Sequence, residues 1–235
     1  MSEYRPPSFG MIPPVVKNIL IINVLCYLAT ITPIGVFILN FGAAHYFDAK
    51  GFGIWQFITY GFLHSTRDIF HIVFNMLAVF MFGSQLENFL GSKKFFSYYM
   101  ITIIGAMVLQ EVINAYQVHQ LCGSFIPYSQ NIVFTDGYAL EKVRSIYSTQ
   151  TVGASGAVFG LLLAFGMLFP ESWIFVYFFP IKAKYLVFIY GAIELYMAVQ
   201  NNPNDNVAHY AHLGGMLFGF ILLKVWKIRK PGSYY

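Results

Sequence analysis

Three hydrophobic stretches of this sequence begin with polar side chains that could do chemistry. Ser155 stands in "TVGASGAVFG", directly before an apolar run. His71 and Asn75 open a second run in "HIVFN", and His209 and His212 open a third in "AHYAHLGG". A serine hydroxyl needs a base such as a neutral imidazole to accept its proton, and N–H donors then stabilise the oxyanion. These residue types permit nucleophilic acyl transfer if the fold brings them together.

Each group also has a simpler interpretation, based on packing. The stretches around Ser155 and His212 each carry two glycines four residues apart: Gly156 and Gly160, and Gly215 and Gly219. This spacing is typical of closely packed membrane helices, where serine is also common. His71 and Asn75 share one helix face and suit a hydrogen bond to a neighbouring helix equally well. The combination favours catalysis, because close glycine contacts would let Ser155 and His212 touch.

The composition indicates that the helices positioning these residues lie in lipid. Hydrophobic residues make up 57% of the chain and charged residues 10%, whereas soluble domains have about 45–50% and about 25%. We therefore predict an all-α polytopic membrane protein whose six helices span about 18–40, 71–90, 95–116, 151–169, 185–200 and 207–226. Residues 1–17 are expected to form a short cytoplasmic N-terminal segment. Residues 227–235 would form a short basic cytoplasmic tail after the 18–226 transmembrane domain.

The basic residues predict the orientation of the bundle. Ten of the 14 Lys and Arg residues fall on the side that six spans would share with both termini, and the positive-inside rule makes that side cytoplasmic. Topology thus explains the net charge of +4, and no basic stripe interleaved with aromatics suggests a nucleic-acid partner. Cys26 and Cys122 can form no disulfide framework, and the sequence has no metal-binding spacing such as CxxC or HExxH.

In this topology the second, fourth and sixth spans all run from the outer face inward. At about 1.5 Å per residue, Ser155 and His212 both lie about 6–8 Å below the outer ends of their helices. Polar side chains at such a depth usually face a bundle interior or a wet cavity. Two acidic residues are candidates for orienting His212: Glu194 in the fifth span and Asp205 in the outer loop before the sixth. We favour a Ser155/His212 dyad over either triad.

Five segments, taken in order, resemble motifs of the rhomboid intramembrane serine proteases. They are "WQFITYGFLH" from Trp55, "HIVFNML" from His71, "QLENFLG" from Gln85, "GASGAVFG" from Gly153 and "AHLGGMLFG" from Ala211. The resemblance implies a six-helix rhomboid-like bundle. Many family members have Trp-Arg where this chain has Trp55-Gln56, so a role for that arginine cannot be transferred. The polar segment Gln117–Gln150 looks longer than in compact bacterial members and has no evident function.

The resemblance also implies a role for each candidate residue. Ser155 would be the nucleophile and His212 the general base. His71, Asn75 and the backbone N–H of Ser155 would receive the oxyanion. The same motifs imply five supporting positions, including the aromatic packed against the catalytic histidine: Gly153, Gly156, Phe159, Gly215 and Gly219. His209 falls outside the family's Ala-His-x-x-Gly pattern, so no catalytic role is transferred to it.

These inferences predict an intramembrane serine endopeptidase that hydrolyses peptide bonds in or near transmembrane segments of other proteins. Its partners would be those substrates and the lipid bilayer, without a cofactor or metal. We expect a bacterial inner membrane, cytoplasmic termini, and an active site that opens to the outer face below a mobile loop near "NNPNDN". Two other classes stay open. One is a catalytically silent rhomboid-like protein that binds membrane clients. The other is a small transporter or channel with a polar midplane site, which broken helices or charged residues near the bilayer centre would favour.

Overall fold

The computed structural model describes residues 12–176, 178–200 and 207–231, which are largely helical. Within them lie the helices α1 (Pro14–Thr30), α2 (Gly35–Gly42), α3 (Gln56–Thr59), α4 (Ile69–Ala78), α5 (Ser84–Leu90), α6 (Ser92–Cys122), α7 (Gly137–Ser148), α8 (Ser155–Leu168), α9 (Ala183–Gln200) and α10 (His209–Val225). A 3₁₀ turn, Tyr60–Phe62, follows α3, and a π-helical turn, Val79–Gly83, joins α4 to α5. Strands β1 (Trp173–Val176) and β2 (Phe179–Lys182) pair antiparallel between α8 and α9.

The lengths of the helices match the predicted spans only in part. The continuous stretch Ile69–Leu90 and the helix Ser92–Cys122 are long and apolar enough to cross a membrane, with mean hydropathies of 1.7 and 1.5. Three further apolar helices in the described residues are shorter: Pro14–Thr30, Ser155–Leu168 and His209–Val225. The fold agrees with the predicted all-α class apart from the β1–β2 hairpin. That six helices span the membrane remains a prediction.

The first predicted span is not one helix. α1 ends at Thr30, a turn follows, and α2 begins at Gly35. Pro33 explains the break, because proline has no N–H group to donate and disfavours the helical conformation of the residue before it. The prediction of a single helix over 18–40 is therefore wrong.

The outer segment Gln117–Gln150 contains two helical parts. α6 continues into it and ends before Gly123, whose φ of 73° and N–H bond to the carbonyl of His119 form a left-handed cap. α7 begins after Asp136, whose side chain accepts a hydrogen bond from the N–H of Tyr138 at 3.0 Å. The segment thus carries a helix at each of its ends, and we call it the outer layer after its predicted position.

Asp48 attaches this outer layer to the loop that follows α2. Tyr147 of α7 packs against Tyr46 in a small second hydrophobic cluster, and its hydroxyl donates to Asp48 at 2.5 Å. The hydroxyl and N–H of Ser129 donate to the same carboxylate. Burial opposes the ionisation of Asp48, but these hydrogen bonds outweigh it and hold the pKa of the carboxyl below its usual value.

α10 is the central helix of the core and packs against α6 and α8. Its contact with α8 is so close that a Cβ built on Gly215 would overlap the carbonyl group of Gly156. The hydroxyl of Tyr98 in α6 donates to the carbonyl oxygen of Gly160 in α8 at 2.8 Å. This hydrogen bond joins α6 to the contact between α8 and α10. The glycine pairs therefore allow the predicted close approach, which sets the N-terminal ends of α8 and α10 side by side.

Candidate active site

Ser155 and His212 meet at the N-terminal ends of α8 and α10. Ser155 is the first residue of α8, and His212 lies one turn inside α10. Ser155 Oγ and His212 Nε2 are 2.8 Å apart, which is a hydrogen-bond distance. The histidine is 7% exposed and the serine is half-buried. The structure thus brings these two predicted residues together in a geometry that suits transfer of the hydroxyl proton to the imidazole.

Phe159, one turn after Ser155, supports the imidazole of His212. The two rings are stacked with their centroids 4.3 Å apart and their planes 13° from parallel. Tyr190 of α9 meets Phe159 edge-on, with ring centroids 6.2 Å apart. This stacking restricts rotation of the imidazole and keeps Nε2 directed at the serine hydroxyl.

The other ring nitrogen of His212 faces a buried carboxylate. Its Nδ1 is 2.8 Å from Glu194 Oε2, and the Nδ1 of His209 is 2.6 Å from the same oxygen. An ionised carboxylate only accepts hydrogen bonds, so both Nδ1 atoms must donate. Neutral His212 then has no proton on Nε2, the tautomer that can accept a proton from Ser155. Asp205, the second acidic candidate from the sequence, lies outside the described residues.

His71 presents a ring N–H toward the serine. Its Nδ1 accepts a hydrogen bond from the N–H of Ser65 at 3.3 Å, so the proton of the neutral ring is on Nε2. That Nε2 and Ser155 Oγ lie 2.9 Å and 3.5 Å from the point where a Cβ on Gly153 would stand. Gly153 has a φ of 135°, which favours glycine. A side chain at this position would also fill the space that the two polar atoms share.

Asn75 lies on the same side of the site as His71. Its Nδ2 donates to the carbonyl oxygen of His71 at 2.7 Å, which fixes the orientation of the buried amide. The backbone N–H of Ser155 belongs to the first turn of α8, where N–H groups have no partner within the helix. These donors, Ser155 Oγ and His212 line one cavity of about 2110 Å³. The cavity combines a hydroxyl, an imidazole and N–H donors, which are the groups that acyl transfer requires.

Comparison with known proteins identifies the family of the chain. The chain matches the Rhomboid domain family over residues 51–227, about three quarters of its length, and the candidate residues described above lie within that range. The chain belongs to the rhomboid family. It is 28% identical to Rhomboid protein 1, mitochondrial, of Saccharomyces cerevisiae, over 72% of this chain and 41% of that protein. It is 30% identical to RHOMBOID-like protein 12, mitochondrial, of Arabidopsis thaliana, over 67% and 42%. It is 26% identical to Rhomboid protease AarA of Providencia stuartii, over 72% and 54%.

Family membership makes this rhomboid a membrane protein. The chain spans about half the length, or less, of these three relatives. The mitochondrial names of two of them do not fit the predicted bacterial inner membrane. The predicted orientation, with cytoplasmic termini, stays a prediction.

Three residues of this rhomboid offer ligands of the kind that hold a metal ion. The ligand atoms of Glu194, His209 and His212 all lie within 4.8 Å of one another, and a set of carboxylate and imidazole groups suits Zn²⁺. A metal on Nδ1 of His212 would leave the proton of the neutral ring on Nε2, where it faces Ser155. The serine proton then has no acceptor, so the arrangement fits a hydrogen-bonded base better than a resident metal centre.

His64 is a neighbour of the site that the sequence reasoning did not single out. Its ring is fully buried and packs edge-on against His71, with centroids 5.1 Å apart. Burial, and to a lesser extent the nearby His71, lowers the pKa of His64 to about 3. The ring is therefore neutral and adds no charge beside the N–H donors. Its place at the end of "WQFITYGFLH", shortly before His71, was the available signal.

Proposed function

We propose that this rhomboid is an intramembrane serine endopeptidase that hydrolyses peptide bonds in or near transmembrane segments of other membrane proteins. The observation that carries the proposal is the 2.8 Å contact of Ser155 Oγ with His212 Nε2, in a cavity that His71 and Asn75 also line. The name of the Providencia stuartii relative, Rhomboid protease AarA, adds support from the family.

The proposed reaction has two halves that use the same two residues. Ser155 Oγ attacks the scissile carbonyl carbon while His212 Nε2 takes the hydroxyl proton. The tetrahedral intermediate collapses when protonated His212 gives that proton to the leaving amine and the C–N bond breaks. A water molecule then attacks the acyl-enzyme, His212 takes one of its protons, and that proton returns to Ser155 as the carboxylic acid leaves.

The negative oxygen of each tetrahedral intermediate would lie in the space beside Gly153. His71 Nε2–H faces that space, and the Asn75 amide and the backbone N–H of Ser155 are assigned as further donors. Donors fixed before the reaction stabilise the developing charge without reorganising, and each contributes about 2.7–4 kcal/mol in well-studied acyl-transfer enzymes. The bond from Asn75 to the carbonyl of His71 supplies this rigidity.

The cavity suits an unwound stretch of polypeptide rather than a small metabolite. Its volume of about 2110 Å³ exceeds the roughly 300–1,000 Å³ of ordinary ligand pockets. Ser155 and His212 are at the N-terminal ends of their helices, so we propose that the cavity opens on the face of the membrane opposite the two termini. The proposed loop roof at 201–206 lies outside the described residues.

The test is incubation of the purified protein in detergent or liposomes with a model transmembrane substrate, beside the Ser155→Ala variant. We expect cleavage within or next to the transmembrane segment by the wild type and none by the variant. Binding of the segment by both proteins without cleavage by either would instead favour the catalytically silent client-binding function.

A further inference from the structure

We propose that Glu194 is a positioning residue that extends the Ser155/His212 pair into a three-member hydrogen-bonded chain, and that His209 holds the Glu194 carboxylate in place. The sequence favoured a dyad, and it assigned His209 no part in the site. The inference deepens the proposed function, because it concerns the residues that prepare the base of the same reaction.

The first support is the continuity of the hydrogen bonds. Ser155 Oγ is 2.8 Å from His212 Nε2, and Nδ1 on the opposite edge of that ring is 2.8 Å from Glu194 Oε2. The carboxylate requires an N–H at Nδ1, which leaves Nε2 as an acceptor. Glu194 therefore selects the one neutral tautomer of His212 that can act as a base. It also stabilises the imidazolium that forms when the proton arrives.

The second support is the burial of the carboxylate. Glu194 is 7% exposed and lies on α9, in a largely apolar helix. Taking a carboxylate out of water is costly, and well-packed apolar residues in place of a buried ionic group are often as stable or more stable. Packing alone therefore does not account for a glutamate here. A role in orienting the base does.

The third support is the arrangement around His209. Its Nδ1 donates to the same Oε2 at 2.6 Å. Two imidazoles of α10 therefore bind one oxygen of the Glu194 carboxylate. Tyr210, the next residue, donates its hydroxyl to the carbonyl oxygen of Ala198 in α9 at 2.9 Å. These bonds fasten α9 to the first turn of α10. They fix the oxygen that His212 needs, while His209 itself has no described contact with the serine.

The kinetic consequence is a loss of turnover rather than of substrate binding. Glu194→Gln keeps the size of the side chain but removes the negative charge that stabilises the imidazolium, and an amide NH₂ group in the place of Oε2 would donate to Nδ1 of His212 and select the wrong tautomer. The corresponding acid-to-amide change in soluble serine proteases lowers kcat about 10⁴-fold through the wrong histidine tautomer. We expect a fall in kcat of between about 10²- and 10⁴-fold with a much smaller change in KM. Glu194→Asp, which keeps the charge, should recover part of this loss.

The experiment combines these kinetics with a readout of the tautomer that does not need activity. Wild type, Glu194→Gln and Glu194→Leu are labelled with ¹⁵N-histidine, and His212→Ala identifies the signal of that residue. The ¹⁵N shifts distinguish a protonated Nδ1 from a protonated Nε2. We expect the Nδ1–H form in the wild type and a shift toward the Nε2–H form when the carboxylate is removed. Glu194→Leu serves as the second variant, because an apolar replacement tends to fold.

Two results would overturn the inference. One is wild-type kcat in folded Glu194→Gln. The other is an unchanged His212 tautomer in both variants. The proposed function fails separately: a wild type that cleaves nothing but shows the carboxylate-dependent tautomer would refute the protease activity and leave the positioning role of Glu194 standing.

Discussion

Gly215→Ala should inactivate this rhomboid by separating its nucleophile from its base. A Cβ at position 215 would lie 2.7 Å from the carbonyl carbon of Gly156 and would overlap its oxygen, whereas ordinary contact begins at 3.4 Å. The carbon alone must therefore retreat by about 0.7 Å, and the oxygen by more. Gly156 follows Ser155 directly, and Gly215 lies one turn after His212, so the displacement acts at the contact between Ser155 and His212.

The expected loss follows from this distance. Lengthening the 2.8 Å contact between Ser155 Oγ and His212 Nε2 by about 1 Å removes the hydrogen bond. A misplacement of about 1 Å in an active site costs about 10²-fold in rate, or about 2.7 kcal/mol of transition-state stabilisation. The assay is kcat on a fluorogenic transmembrane peptide. Thermal unfolding must be measured alongside, because overpacking also destabilises by about 1–3 kcal/mol.

Gly191→Ala is the matched control. A Cβ at position 191 would meet only the flexible end of Met216, with Cε at 3.2 Å. This variant should fold and turn over substrate at close to the wild-type rate. A folded Gly215→Ala variant with wild-type kcat would refute the conclusion that close helix packing sets the catalytic distance.

Three further predictions concern the oxyanion donors, metal binding and the outer layer. Asn75→Ala should lower kcat about 10²–10³-fold with a smaller change in KM, because the charge it stabilises exists mainly in the transition state; unchanged turnover in folded protein would make Asn75 structural. Added Zn²⁺ should inhibit cleavage reversibly by binding Nδ1 of His212, and EDTA should restore the activity. His209→Ala should need a higher Zn²⁺ concentration for the same inhibition, and equal sensitivity of the two proteins would contradict this. The depressed pKa of Asp48 means that its stabilising contribution is present above the unfolded value of about 3.9 and is lost as the pH falls through the lower folded value. Amide exchange across 124–148 should therefore be faster at pH 7 in Asp48→Asn than in the wild type, whose exchange should accelerate only below about pH 4. Equal protection of the segment in both proteins at pH 7 would show that Asp48 does not anchor it.

The contact between Ser155 and His212 could be anticipated from the sequence because two independent signals point to it. Each residue opens an apolar run, and each run carries glycines at four-residue spacing. Those glycines allow the approach of α10 to Gly156 in α8, as the fold confirms. Local chemistry and packing pattern thus predicted the same pair of helices.

The partner of His212 could not be chosen from the sequence. Whether Glu194 reaches Nδ1 depends on the rotation and depth of α9 against α10, which are set by tertiary contacts such as the Tyr210 hydroxyl bond to Ala198. Hydropathy averages over a helix and carries no information on either quantity.

The outer layer and the hairpin were missed for a different reason. The stretch "WIFVYFFPIK" is uncharged and mostly apolar up to its final lysine, so it lacks the alternation that predicts a half-buried strand. α7 has an Asp136 cap and an amphipathic pattern, but it lies in a segment whose polarity suggested only exposure to water. Its attachment to Asp48 spans 99 positions of sequence and becomes visible only in the fold.

The central claim is that His212 activates Ser155 as a nucleophile, and covalent labelling with a fluorophosphonate tests it most directly. The measurement is peptide mass spectrometry after exposure of folded wild type, His212→Ala and His209→Ala to the probe. We expect the adduct on Ser155 in the wild type, no adduct in His212→Ala, and a measurable adduct in His209→Ala, because Glu194 still orients His212 there. An adduct on another residue with Ser155 unmodified, or equal labelling of Ser155 with and without His212, would contradict the proposed active site.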